Sequence, residues 1–204
     1  MAVLTARFSF IVTGRMLRNM VRAAALDSDF YDLVERDPSL NRQAFFVVVI
    51  ANGLAGVGAW IGLGEVVGSG IWEGVRSWLA LGTWAAPNDG GLPFVVLTNV
   101  ALALIGWVVW AWTTGFIGSR LFGGTTDFAE MARVLGFAQS ARVVAVVPLL
   151  GPVAAVWTLV ASVVAIRQGL DFNTPRAIGT AIGGWIVWLG LQFGTLLIAG
   201  TLFG

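Results

Sequence analysis

Arg142, with Gln139 one turn before it, is the residue pair in this chain best suited to a chemical role. Both sit in a long apolar stretch, where a guanidinium needs a partner or a path to water. A charge at the centre of a bilayer costs from about 2.5 to more than 10 kcal/mol, so an intramembrane Arg points to a polar site or an anionic ligand. Two placements are open. Either Arg142 is held inside a helix bundle by Gln139, by Glu65 or by carbonyls freed at a helix break, or the stretch from Phe128 to Arg142 lies on the membrane surface with the Arg in the headgroups. The remaining polar residues in apolar stretches are Asn52, Asn99, Thr113, Thr114, Ser162 and Gln192. Each is expected to make an interhelical hydrogen bond of about 0.6 kcal/mol.

Many chemistries are excluded by residue type. The chain has no Cys, no His and no Lys, so all 12 basic residues are Arg. Thiol nucleophiles, imidazole acid–base catalysis, Schiff bases and the P-loop lysine are therefore absent. A metal site would have to use carboxylates alone. No Asp or Glu falls at the middle of an apolar stretch, which argues against a proton-driven pump. The expectation is a protein without catalysis, cofactor, metal or nucleic-acid partner.

The elements that must position Arg142 are legible from charge spacing. Ala44 to Gly64, Leu92 to Gly118, Val143 to Ile166 and Ile178 to Gly204 carry no charged residue over 21, 27, 24 and 27 positions. A hydrocarbon core about 30 Å thick needs roughly 20 apolar residues as helix. The fold class is therefore all-α, a polytopic transmembrane helical bundle, preceded by an amphipathic cytoplasmic region over 1–42. The bundle, 43–204, divides into spans at about 43–67, 93–117, 130–148, 150–167 and 177–203. The break at Pro148, Gly151 and Pro152 separates the third from the fourth, because two prolines four residues apart disfavour a straight helix. Without that break, four spans remain. The Arg distribution favours five, with the N-terminus in the cytoplasm and Gly204 outside.

Within 1–42, Arg7, Arg15, Arg18 and Arg22 are interleaved with apolar residues, which predicts a basic amphipathic helix from Gly14 to Leu26. Such a helix lies on an anionic leaflet or packs under the bundle. Asp27 then caps a short acidic helix ending near Pro38, and Asp127 with Glu130 forms a capping box. Trp72, Trp78 and Trp84 suggest an interfacial piece between the first two spans. Gly58/Gly62, Gly179/Gly183 and Gly190/Gly194 are i,i+4 pairs that let helices approach closely, the last equally suited to a homodimer face.

The segment from Arg120 to Arg176 resembles the Yip family of integral membrane proteins. The resemblance is carried by Gly123-Gly124 after a span, Leu135-Gly136-Phe137-Ala138, the Pro148-Leu149-Leu150-Gly151 break, Trp157 and Asn173-Thr174-Pro175-Arg176-Ala177. It departs from the family pattern at Arg142, where that pattern often has Pro. The resemblance implies five helices, a cytoplasmic N-terminus and a scaffold role akin to trafficking. Arg-only basic usage with abundant Ala, Gly and Val fits GC-rich codons and hence a bacterial plasma (inner) membrane. The partners expected are the bilayer, through anionic headgroups, and a membrane protein or second copy. The alternative is a small permeation or lipid-handling protein with its polar site at Arg142.

Overall fold

The computed structural model describes residues 14–61, 91–147 and 150–187. Every regular element among them is helical: α1 (Gly14–Ala24), α2 (Ser28–Arg36), a short 3₁₀ turn (Pro38–Leu40), α3 (Asn41–Ile61), α4 (Leu92–Phe122), α5 (Phe128–Ala138), a 3₁₀ segment (Gln139–Val146), α6 (Gly151–Gly169) and α7 (174–187). Among the described residues, three helices have the length and apolarity to cross a membrane: Pro38–Ile61, Leu92–Phe122 and Gly151–Gly169. The outward faces of α3, α4 and α6 carry exposed Trp60, Leu97, Ile105, Trp112, Val153 and Trp157, which suits a lipid environment.

Local signals set the helix ends. Asp27 accepts from the Phe30 amide at 3.0 Å and starts α2. The capping box at α5 is complete: Asp127 Oδ1 accepts from the Glu130 amide at 2.8 Å, and Glu130 Oε2 accepts from the Asp127 amide at 3.0 Å. Helix α1 ends with Leu26 in the left-handed region at φ 62°, where the Leu26 amide reaches Ala23 O and the Asp27 amide reaches Arg22 O. Helix α6 ends in the same way at Asp171, φ 51°, with Phe172 bonding back to Arg167 O. Both are Schellman closures, here built without the usual glycine. α4 does use one: Gly123, φ 72°, follows its last turn.

The centre of the fold is α5. Every residue from Met131 to Ala138 is buried, among α2, α3, α4 and α6. Residues 131–138 are thus interior to the helix bundle. The period of buried residues is unbroken because neighbours pack on all sides. At Gln139 the helix tightens to 3₁₀ and continues for eight residues between α3 and α6. Such runs are uncommon, and they rise about 2.0 Å per residue rather than 1.5. The third span was predicted as continuous α-helix to 148. α5 and the tighter coil together carry 19 residues over roughly 32 Å. Span two was predicted to stop at 117, but α4 runs to Phe122, where Gly118 and Gly124 nest against Leu170 and Phe172. α6 covers 151–169, and α7 opens at 174, its Arg176 amide bonded to Asn173 Oδ1 at 3.2 Å.

Glycines supply the close approaches. A Cβ on Gly136 would stand 3.0 Å from the Cβ of Ala44, and one on Gly56 would stand 3.1 Å from the Val96 backbone. Gly58 faces the Ala145 carbonyl directly. Gly179 and Gly183 face Phe122 and Ile117 of α4, so this predicted pair packs inside the molecule. Gly62, Gly190, Gly194, Pro148 and the Trp72–Trp84 stretch lie outside the described residues; Gly151 and Pro152 open α6.

Candidate functional site

The first candidate site is a cavity of about 50 Å³ among the apolar helices. Its wall is built from α3 (Asn52), α4 (Ala103, Gly106, Trp107, Trp110), the 3₁₀ segment (Gln139, Arg142), α6 (Ala155, Thr158, Leu159, Ser162) and α7 (Trp185). The predicted pair Gln139 and Arg142 is therefore brought together on one wall. Three positions apart, they superpose after one turn of a 3₁₀ helix. By rise per residue Arg142 stands about 10 Å above Gly136, and about 15 Å above Arg133. That exceeds the 13 Å separation expected from continuous α-helix, because three of the steps are 3₁₀.

The polar neighbours do not bond as expected. Asn52 Nδ2 donates to Val48 O at 2.9 Å, Thr158 Oγ1 to Ala154 O at 2.7 Å and Ser162 Oγ to Thr158 O at 2.8 Å. Thr113, Thr114 and Asn99 likewise return to carbonyls three or four residues back in their own helix. Interhelical bonds were predicted for all of these except Thr158; own-helix carbonyls won because they lie within reach of a short side chain without any neighbour moving. In consequence Thr158 and Ser162 turn oxygen lone pairs toward the cavity, and Asn52 keeps its carbonyl oxygen and one amide hydrogen. Trp107 Nε1 is committed to Ala132 O at 2.8 Å.

The second candidate site is the N-terminal cap. α1 buries Met16, Met20 and Ala23 on the bundle, opposite exposed Arg15, Arg18, Leu17 and Val21. Arg22 is partly withdrawn from any ligand: its Nε pairs with Asp27 at 2.6 Å and its guanidinium lies 4.9 Å from the Phe30 ring centre. Arg7 lies outside the described residues. Asn19 reaches Gln43 at 3.0 Å, and Trp157 Nε1 donates to Ala24 O at 2.7 Å.

What fastens the cap was not foreseen. Arg133 is 4% exposed. Its Nε donates to Val34 O at 3.0 Å, its Nη1 to Asn41 Oδ1 at 3.0 Å, and its Nη2 to Glu35 O. A charge count assigns Arg133 to the inner-face loop as one more positive residue. Its actual task is to satisfy the last carbonyls of α2, which a helix leaves orphaned, with a cation at the negative end of the dipole. Arg167 Nη2 to Ser28 Oγ at 2.8 Å and Gln168 Nε2 to Ser28 O at 3.1 Å hold the other end of α2.

Beside this clamp, burial pushes the Glu35 carboxyl from its ordinary 4.5 up to about 7, aided by the negative charges of Asp171, Glu130 and Asp32. One of its oxygens is buried and makes no hydrogen bond. The folded state therefore keeps a proton that the unfolded chain has already released between pH 4.5 and 7. Stability falls as pH rises through that window and stays lower above it. Glu35→Gln should remove this slope and leave the protein more thermostable than wild type at pH 8. Thermal midpoints from pH 5 to 8 check this; parallel curves for both proteins would refute it.

No curated protein and no solved structure matches the chain. The sequence pattern of the Yip1 domain, by contrast, matches residues 27–201, from the cap of α2 through all the apolar helices described above. The chain belongs to the Yip1 domain family.

Proposed function

We propose that this protein is a non-catalytic integral membrane scaffold of the Yip type, crossing the bilayer five times with its N-terminus in the cytoplasm. The observation that carries the reading is the cap. α1 and α2 are fastened to α3, α5 and α6 by Arg133, Arg167, Gln168 and Trp157, so the polar end of the bundle is a built surface. That surface presents Arg15 and Arg18 outward, next to Leu17 and Val21. Apolar and cationic residues side by side suit an in-plane helix at an anionic leaflet. A membrane-protein partner or second copy would meet the same face, together with the 123–127 loop. The five crossings are α3, α4, α5 with its 3₁₀ extension, α6, and the helix that begins at 174.

The natural absence of Cys makes the test clean. A single Cys placed at Gly204 should be modified by an impermeant maleimide from outside the cell, and one placed at Arg15 only after permeabilisation. A Gly204 site shielded until permeabilisation would reduce the crossings to four. Vesicle binding of the reconstituted protein's cap should weaken with salt and with Arg15→Gln/Arg18→Gln; equal behaviour on neutral and anionic bilayers would remove the headgroup contact.

The cavity beside Arg142 favours a second reading, a small lipid-handling or permeation protein, since a scaffold alone needs no polar hollow at that depth.

A further inference from the structure

We infer that the cavity bounded by Arg142, Gln139, Thr158 and Ser162 binds one anionic oxygen group, a phosphate or a carboxylate, carried on an apolar chain. The inference deepens the lipid-handling reading and rests on it. Four observations converge. The hollow of about 50 Å³ has room for a small oxyanion. The charged side chain in its wall is Arg142, whose planar guanidinium matches the two oxygens of a carboxylate or phosphate. Neutral amides at Asn52 and Gln139 add N–H donors, while the Thr158 and Ser162 hydroxyl hydrogens are spent on their own helix. Those two oxygens are left as acceptors for a hydroxyl of the ligand or a proton on it. Trp107, Trp110 and Trp185 with Leu159 complete the wall, a surface for an acyl chain and not for a hydrated solute.

The position agrees with the packing. α4 and α6 make little or no direct contact, whereas each packs on α5 or its 3₁₀ extension. The gap between them is where the hollow lies, with Trp185 of α7 on its wall. An occupant that enters from the membrane arrives with its own apolar chain. A charge meeting Arg142 at this depth would gain more than at the cap, because the surroundings are less polar.

The full chain, reconstituted in phosphatidylcholine nanodiscs, tests this. Phosphatidate and oleate supply the group on a chain; inorganic phosphate and acetate supply it free. Phosphatidate or oleate should raise the thermal midpoint and remain bound in native mass spectra. Arg142→Gln should weaken that response about tenfold, the scale of one charge-assisted hydrogen bond. The response should persist at 0.5 M salt and in Arg15→Gln/Arg18→Gln, because a buried pair is screened far less than a surface one. Inorganic phosphate acting as strongly as phosphatidate would keep the anion site but assign it a soluble ligand. Should Arg142→Gln fail to fold, isosteric Thr158→Val with Ser162→Ala carries the test, and should lower the affinity several-fold at unchanged basal stability. A response unchanged in these variants, or abolished by salt and the cap mutations, would overturn the site. Variant-sensitive binding of diacylglycerol in place of phosphatidate would overturn the anionic class and leave lipid handling standing. No lipid retained at all would end both.

Discussion

Arg133→Met should uncouple the N-terminal cap from the bundle while leaving the apolar helices inserted. The substitution keeps most of the side-chain volume but removes three donors. Val34 O, Glu35 O and Asn41 Oδ1 then lose their partner. Hydrogen bonds to a charged group contribute about 1.5–3 kcal/mol each, and buried acceptors left alone cost a further 1–3. These do not add simply, so an overall loss of at least about 3 kcal/mol is expected, or roughly 6–12 °C in thermal midpoint for a chain of this size. The readout that distinguishes clamp loss from general weakening is local. A Cys introduced at half-buried Asp32 should become rapidly reactive in Arg133→Met, while one on α4 at Thr98 should not change. Equal reactivity at both sites, or an unchanged midpoint, would mean that α2 is held by its other contacts.

Gly58→Ala and Gly53→Ala should move stability in opposite directions, although they are the same change five residues apart on α3. A Cβ at Gly58 would collide with the Ala145 carbonyl oxygen and crowd that of Val146. Both are backbone atoms of the 3₁₀ segment, so no rotamer can relieve the clash. Overpacking of this kind costs about 1–3 kcal/mol. At Gly53 the nearest atom to a new Cβ is a Val100 methyl at 3.7 Å, ordinary van der Waals contact. There the helix gains up to about 1 kcal/mol from replacing Gly with Ala. Midpoints of the two variants against wild type decide the matter. A neutral Gly58→Ala would show that the 3₁₀ segment yields, and that its position is not fixed by α3.

These two positions also mark what was legible in the sequence. The helices were readable because each is recorded locally, in charge-free length, in Asp27, in the Asp127/Glu130 box and in the proline pair. The pairing of Gln139 with Arg142 was readable as a spacing. The partner of each was not, because it is set by tertiary packing. Nothing near Arg133 in sequence indicates that it will meet carbonyls almost a hundred positions away. Gly58 was read within an i,i+4 pair, whereas the structure brings it onto the backbone of the 3₁₀ segment. The 3₁₀ coil itself escaped notice because Gln139 to Val146 contains only residues that an α-helix accepts. What tightens it is confinement between α3 and α6, a property of neighbours and not of composition.

The bonds that fasten α2 join residues far apart in the chain: 98 and 99 positions for Arg133 to Glu35 and Val34, 139 and 140 for Arg167 and Gln168 to Ser28. During synthesis at about 5–20 residues per second, α1 and α2 emerge roughly 7–30 s before Arg167 exists to receive them. For that interval Met16, Met20, Phe30 and Tyr31, all buried in the finished protein, have no bundle to bury against. The N-terminal segment must be sheltered by the membrane surface or by chaperones until α6 has been threaded. Closure of the cap is then the step that reports completed insertion. A chain truncated after Leu150 would expose that segment to quality-control proteases even though its first helices had inserted correctly.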